Sequence, residues 1–547
     1  MASVPPVRFR FARSEVEARP GETVLAALAR RGWPSLSRSV RYHRPRGPFC
    51  GVGDCTGCLV RVNGVPNVRA CQREVHAGDR VRTENAWPSP RLDGLGAIDL
   101  VLPHGLDTVH GLRRPRFLAS VYQRFVRRLS GFGEPPDRGS ATGPRNATIR
   151  EAPITIFGAG RTGRATAEAL VGAGARPLLV DRRREDRGGV DGAEFLGRTT
   201  AAILPPPADG PGGWTVVGSS DDGNGVVIRT GAVVVATGGY DAALLFEGSD
   251  RPGVVTADLA LSDLGLPLGE SVVVGSGPRA RQVVEHLEED VRAVVAFGSI
   301  DPDLAHAATE RDIPLYPRSR LVRSVGRGHV RAVELSRRDG GGRFTLPCSS
   351  VVLAHRRLPN AQLLFQAGVA RRWSEGAAAY YPEVDGLGRT ALPGLFAVGS
   401  AARPTGVPAP SPGEVARAIL SPGSEVGDPT VATGPRSELQ SYYRELLREP
   451  RHGKWVVCPC EDVLLEEIER ATERGFRRLE VAIRYTGIGT GLCQGRYCLP
   501  EAALLLSILE GREPPAVGYV TQRPPLVPTP LGALAAVSGE FDREARP

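Results

Sequence analysis

Lysine is nearly absent. Of 547 residues only Lys454 is one, so the formal charge of +9 at pH 7 is carried by arginine. Arginine in place of lysine, beside abundant Gly, Pro and Ala, reflects a GC-rich genome rather than a special function. The arginines are dispersed apart from short runs such as Arg182–Arg184. No basic stripe interleaved with aromatics occurs, so a nucleic-acid partner is not expected. No run of 18 apolar residues exists either, so no membrane-crossing helix is expected. The opening residues lack the charged segment and apolar core of a signal peptide, so the expected location is cytoplasmic. No convincing nucleophile or general base for substrate chemistry stands out. What remains is an ordinary globular composition, 41% hydrophobic and 24% charged, long enough for three or four domains.

Cysteine is sparse but grouped. Eight of the nine fall at positions 50, 55, 58, 71 and 458, 460, 493, 498. Grouped cysteines in a cytosolic chain read as metal ligands rather than disulfides. Cys50, Cys55, Cys58 and Cys71 have the spacing C-x4-C-x2-C-x12-C, the plant-type [2Fe–2S] pattern. Gly51, Gly53 and Gly57 stand between them and permit tight turns that aim backbone N–H groups at sulfur. Cys458, Cys460, Cys493 and Cys498 read C-x-C-x32-C-x4-C. A second [2Fe–2S] cluster is expected there, with tetrahedral zinc as the alternative. The ninth, Cys348, precedes an apolar run and is expected to be a buried small hydrophobe. His43 and His76 flank the first group, which four thiolates already complete, so they are expected to be packing or surface residues.

A third pattern concerns glycine. The apolar run Ile154–Phe157 leads into Gly158-Ala159-Gly160-Arg161-Thr162-Gly163 and then a helix. The next apolar strand ends at Asp181, 18 residues beyond Gly163. Strand, G-x-G-x-x-G, helix and acid together form a dinucleotide fingerprint: the pyrophosphate approaches the helix N-terminus and the acid meets ribose hydroxyls. Val233–Val235 runs into Ala236-Thr237-Gly238, and Leu395–Val398 into Gly399-Ser400. Val272–Val274 opens a second strand–turn–helix unit through Gly275 and Gly277. The following strand ends without an acid, so a purely structural repeat is an equal reading there.

Expected elements follow the same logic. Strands at 7–12, 15–18, 59–62 and 80–83 surround a helix at 23–31. Helices are expected at 117–129 and 438–447, a strand-like segment at 479–483, and an extended Pro-rich tail over 513–547. The domains expected are a β-grasp ferredoxin-like domain at 1–88, a linker at 89–150, a nucleotide-binding domain at 151–450 and a small α-rich domain at 451–512. The fold class is thus α/β and multidomain: a ferredoxin-like domain, a Rossmann-like core with two dinucleotide-binding domains, and a second cysteine-bearing domain.

Several stretches resemble a known family. Pro20-Gly21-Glu22-Thr23, Arg44-Pro45-Arg46-Gly47, Pro66–Cys71 and Asn85-Ala86-Trp87-Pro88 resemble the ferredoxin-like domain of sarcosine oxidase α subunits. Ala236-Thr237-Gly238 and Arg251–Ala257 resemble their pyridine-nucleotide-disulfide-reductase-like flavoprotein part. Cys458–Val463, Arg484–Gly487 and Cys493–Cys498 resemble the bacterioferritin-associated-ferredoxin-like (BFD-like) domain. The chain looks closer still to α subunits of opine, proline, hydroxyproline and hydrogen-cyanide-forming dehydrogenases, with the ferredoxin part fused. No folate-binding module follows, so folate chemistry is not expected.

The resemblance implies an electron-transfer subunit of a heteromeric dehydrogenase acting on CH–NH bonds. Its partner would be an amino-acid-oxidase-like, FAD-containing β subunit that holds the substrate site. The implied cofactors are two [2Fe–2S] clusters and FAD, with NAD or another adenine nucleotide open as alternatives and FMN at a subunit interface as an addition. Ser400 stands where such flavoproteins carry an acid toward the ribityl chain. Two other readings stay open: a stand-alone NAD(P)H-dependent reductase and a flavin-free iron–sulfur scaffold.

Overall fold

The computed structural model describes residues 5–39, 41–86, 89–91, 93–94, 136–137, 145–183, 189–204, 213–338, 340–404, 407–421, 427–428 and 437–544. The chain divides into two units, each assembled from separate stretches. The first comprises 1–141, 241–356 and 438–519, the second 142–240, 357–437 and 520–547. The stretch 151–450, expected as one domain, is therefore shared between the units. The helix expected at 117–129 lies outside the described residues.

The first unit has three parts. Its N-terminal part is a five-stranded sheet ordered Ser14–Ala18, Val7–Phe11, Arg80–Thr83, Leu59–Val62, Val65–Arg69. Val7–Phe11 runs parallel to Arg80–Thr83 and antiparallel to Ser14–Ala18. Alternation along Val7–Phe11 buries Phe9 and Phe11 on one face. The helix Val24–Arg30 lays Val24, Leu25 and Leu28 on that face, and Thr23 caps it through Ala26 N.

The second part is a parallel sheet, Val254–Thr256, Ser350–Leu353, Ser271–Val274, Val291–Val295, Leu315–Tyr316. Its central strands are buried along their whole length, as a sheet covered on both faces requires. The helices Pro278–Leu287 and Pro302–Thr309 contribute Val283, Val284, Leu304 and Ala308 to its core. Cys348 lies buried just before Ser350–Leu353.

The third part is helical and surrounds Leu499–Leu509, in which Leu499 to Ser507 are all buried. A helix that is apolar on all sides has to sit at the centre of its neighbours. Leu479–Thr486 is also a helix, where the Leu-Glu-Val-Ala-Ile alternation predicts strand-like backbone. Burial of Leu479 and Ala482, three apart, chose the helical period, and Gly487 ends it in the left-handed region at φ 75°. Here packing outweighed local β-propensity.

The second unit is built on a seven-stranded sheet. Its order is Glu194–Leu196, Pro177–Val180, Ala147–Phe157, Gly225–Val235, Trp214–Ser220, Thr199–Leu204, with Leu395–Ala397 pairing parallel to Gly225–Val235. The helices Arg161–Gly172 and Pro412–Leu420 pack on one face. Residues 531–544, expected as extended tail, form a helix. Ala533 and Val537, one turn apart, are buried, and Gly225 leaves room for both. The proline run ends at Pro530, one residue before this helix begins, so it could not break the helix interior. No helix among the described residues is long and apolar enough to cross a membrane.

Leu505 is fully buried at the centre of the third part. Leu505→Ala should cost about 2–5 kcal/mol of local stability. The expected result is a lower thermal midpoint for the 438–519 part with the ferredoxin sheet intact, read by circular dichroism and limited proteolysis.

Candidate metal centres and nucleotide site

The first cysteine loop follows the short strand Pro45–Arg46 and enters the strand Leu59–Val62. Cys50, Cys55, Cys58 and Cys71 are all buried. Gly57 is required by a close approach: a Cβ there would lie 2.3 Å from the carbonyl oxygen of Gly47. The backbone N–H of Cys55 donates to Cys50 Sγ at 3.3 Å, and that of Gly57 to Cys55 Sγ at 3.4 Å.

The sulfurs stand in two interacting pairs, Cys50 with Cys55 and Cys58 with Cys71. Burial would raise the Cys50 thiol, but the hydrogen bond with Cys55 and the N–H groups of Val52 and Asp54 outweigh it, bringing it to about 6. Cys55 is pushed well up, first by its bond to Cys50 and then by burial. A thiolate is thus stabilised in this loop, which is the form a metal takes.

The second set is equally close-knit. Cys458 ends the strand Val456–Cys458, and Cys498 precedes the central helix Leu499–Leu509. Cys460 Sγ lies 3.2 Å from Cys493 Sγ. Hydrogen bonds from Cys460 and Cys498 hold the Cys458 thiol far below its usual range. Among the described residues, no three His, Cys, Asp or Glu side chains converge as a single ion would require. The sulfurs of the second set form a chain, Cys498 with Cys458, Cys458 with Cys460 and Cys460 with Cys493.

Both sets belong to the first unit, where Cys55 of the first set and Cys458, Cys460, Cys493 and Cys498 line one cavity of ≈ 70 Å³, together with Phe49, Leu244, Leu245, Val254, Leu353 and Tyr497. Thr56 Oγ1 lies 3.1 Å from Cys460 Sγ. Phe49, beside Cys50, meets Tyr497, beside Cys498, edge to face at 5.1 Å.

A buried ionic junction ties the loops. Arg46 donates to Asp250 at 2.6 Å and to Asp462, two residues beyond Cys460. Arg44 makes two further bonds to Asp250, both 2.7 Å. Asp462 also accepts from the backbone N–H groups of Arg41 and Tyr42, at 2.7 and 3.0 Å. Burial favours the neutral acid at Asp250, but the two guanidinium groups win and hold its carboxyl far below the usual range. Sequence reasoning missed this junction. Its members are separated by 204 and 416 residues, and no spacing rule links them. His43 is buried against Asp93 at 3.0 Å, and His76 is exposed.

The glycine fingerprint lies in the second unit. Gly158, at φ 101°, leaves the strand Ala147–Phe157, and Gly160 caps the helix Arg161–Gly172 with no side chain over its N-terminus. A Cβ on Gly163 would fall 1.8 Å from Gly158 O. Only glycine permits so tight a crossing of helix and strand. Asp181 follows the strand Pro177–Val180 and accepts from the N–H groups of Ala159 and Arg183, at 2.7 and 2.8 Å. It therefore stands beside the glycine turn. Ala236 and Thr237 lie against Gly158, and Gly399 against Thr162. Ser400 sits in the same short turn, Gly399–Ala401, and Gly238 follows Thr237 at φ 72°.

Gly275 and Gly277 belong to the first unit, at the turn after Ser271–Val274. There Arg279 is held by Asp241 and Asp258, and Phe297, beyond the next strand, stacks on Tyr442 at 4.5 Å.

Comparison with known proteins agrees with this architecture. Residues 5–86 match the family described as "2Fe-2S iron-sulfur cluster binding domain", and residues 452–538 the "Sarcosine oxidase A3 domain". L-proline dehydrogenase from P. horikoshii superposes with a TM-score of 0.66 at 20% identity, covering 97% of each chain. Fold and matches define a class: a multidomain iron–sulfur protein built around a Rossmann-like, flavoprotein-type core. More narrowly, the chain is similar to the α chains of sarcosine oxidases and the A chains of opine oxidases. It is 28% identical to the sarcosine oxidase α chain of Rhizobium meliloti (strain 1021), over 97% of this chain and 57% of that protein. It is 26% identical to the opine oxidase A chain of Agrobacterium tumefaciens (strain Ach5), over 58% of this chain and 72% of that one. The chain thus spans little more than half the length of the first of these relatives.

The ionic junction has a pH signature. A carboxyl depressed in the folded state stabilises it above the ordinary carboxylate pKa, and that stability is lost as pH falls through the folded value. The protein should therefore lose stability progressively below about pH 4. Asp250→Asn should be less stable by about 3–5 kcal/mol at pH 7 and should show a flatter acid limb in urea titrations. An unchanged acid limb would remove Asp250 from this role.

Proposed function

We propose that this chain is the electron-carrying subunit of a heteromeric, flavin- and iron–sulfur-dependent dehydrogenase or oxidase of amines or imino acids, the sarcosine, opine, proline and hydroxyproline type. The observation that carries this reading is the approach of two four-cysteine sets at one cavity, which Cys55 of the first and all four of the second line. Cys50, Cys55, Cys58 and Cys71 would hold one [2Fe–2S] cluster, and Cys458, Cys460, Cys493 and Cys498 a second. A dinucleotide, FAD first among them, would lie with its pyrophosphate at Gly158–Gly163 and its ribose toward Asp181, flanked by Thr237, Gly238, Gly399 and Ser400. Bound flavin and clusters together convert a two-electron input into single-electron steps.

The chain's own residues supply the rest. Burial and the Phe49–Tyr497 contact keep water from the sulfurs other than that of the half-buried Cys460, and N–H groups stabilise the thiolates. The carboxylates that line the cavity, Asp250 and Glu501, are engaged by Arg46 and Arg356, which supports a substrate site on a partner. That partner would be an amino-acid-oxidase-like FAD protein, where oxidation of C–N–H to an imine releases two electrons and two protons. The names of the relatives support the substrate class, and a cytoplasmic location fits it.

Two tests apply. Anaerobic addition of sarcosine, proline or an opine to the chain co-purified with its partner should bleach flavin and cluster absorbance; no bleaching with any of them would count against the reading. Gly163→Ala should abolish nucleotide retention, measured by release and chromatography of the bound nucleotide, while iron content stays unchanged.

A further inference from the structure

The structure assigns to Thr56, within the first cysteine loop, the hydrogen bond that sets the reduction potential of the second centre. This rests on the reading above that Cys458, Cys460, Cys493 and Cys498 hold a two-iron cluster. Thr56 Oγ1 and Cys460 Sγ are 3.1 Å apart, although 404 residues separate them. Cys460 is the one cysteine of the nine that is only half-buried. Its sulfur therefore lies at the rim of its set, against the ferredoxin part.

The other sulfurs of that set receive backbone N–H groups. Gly489 and Glu461 lean on Cys458, and Gly495 and Tyr497 on Cys493. For Cys460 the neighbours are the thiols of Cys458 and Cys493 and the hydroxyl of Thr56. Metal binding removes the thiol protons, so those thiols stop donating. A thiolate at Cys460 carries no proton either, which leaves Thr56 as the donor of the pair. Its loop is clamped by Gly57 against Gly47 and by Cys55 against Cys50.

A hydrogen bond to a ligand sulfur withdraws charge from it and favours the reduced state, which carries one more electron. The ferredoxin loop thus raises the potential of a cluster it does not ligate. Thr56 is a positioning residue, and a Ser can replace its hydroxyl where Val cannot.

The test is a redox titration of the full chain monitored by electron paramagnetic resonance, after iron, sulfide and zinc analysis. Cys493→Ser assigns the second signal by its loss. Thr56→Val should keep wild-type iron and sulfide but shift the second centre toward reduction only at lower potential. A tenfold smaller reduced fraction at fixed poise, about 59 mV for one electron, is the expected size, with the first centre unmoved. Thr56→Ser should restore the wild-type value, and Thr56→Ala should repeat the Val result if the larger side chain impairs folding. An unmoved second potential in both Val and Ala variants, or a shift confined to the first centre, overturns the assignment alone. Wild-type protein with iron and sulfide for one cluster only, or with zinc, overturns the parent reading and the assignment with it.

Discussion

A buried guanidinium between two carboxylates holds the cysteine-bearing part of this protein in register. Arg46 is almost wholly buried, and so are Asp250 and Asp462, which it joins. Burying three charges costs several kcal/mol each unless each is paired and hydrogen-bonded. Here Arg44 and the N–H groups of Arg41 and Tyr42 add donors to the two carboxylates, while Arg46 Nε has no partner among the described residues. The three residues come from the ferredoxin-like part, the parallel sheet and the helical part. Their union fixes where two cysteine loops meet, because Arg46 stands four residues before Cys50 and Asp462 two after Cys460.

That arrangement gives the cysteine sets different surroundings. The first is enclosed by its own loop and by the sheet it feeds. The second is anchored to a helix buried on all sides, with one sulfur turned toward the first. A relay needs its carriers close and their potentials ordered. In the relay proposed above, closeness would follow from the ionic junction and ordering from which donors reach which sulfur. The nucleotide fingerprint sits in the other unit, with its own sheet and its own core, so it folds around a separate set of contacts.

Much of this was legible in the chain. The β-grasp strands, the cluster spacing, the glycine fingerprint and Asp181 rest on local rules: period-two burial, ligand spacing, and a turn that only glycine can make. Local rules failed where long-range burial chose otherwise. Leu479–Thr486 alternates like a strand yet coils into a helix, because Leu479 and Ala482 have to face the same neighbours. The segment after Pro530 reads as tail yet becomes a helix, because Gly225 offers a place for Ala533 and Val537.

The sequence by itself determined the candidate ligand set: eight grouped cysteines, their spacing, and the glycines that would let a backbone approach sulfur or phosphate. These depend on residues a few positions apart, whose geometry is set by covalent reach. Only the tertiary structure decided that Cys55 shares one cavity with the second cysteine group, that Arg46 reaches both Asp250 and Asp462, and that Thr56 bonds to Cys460. Those pairs are hundreds of residues apart, and no local preference encodes a contact whose partner arrives only when separate sheets and helices pack together.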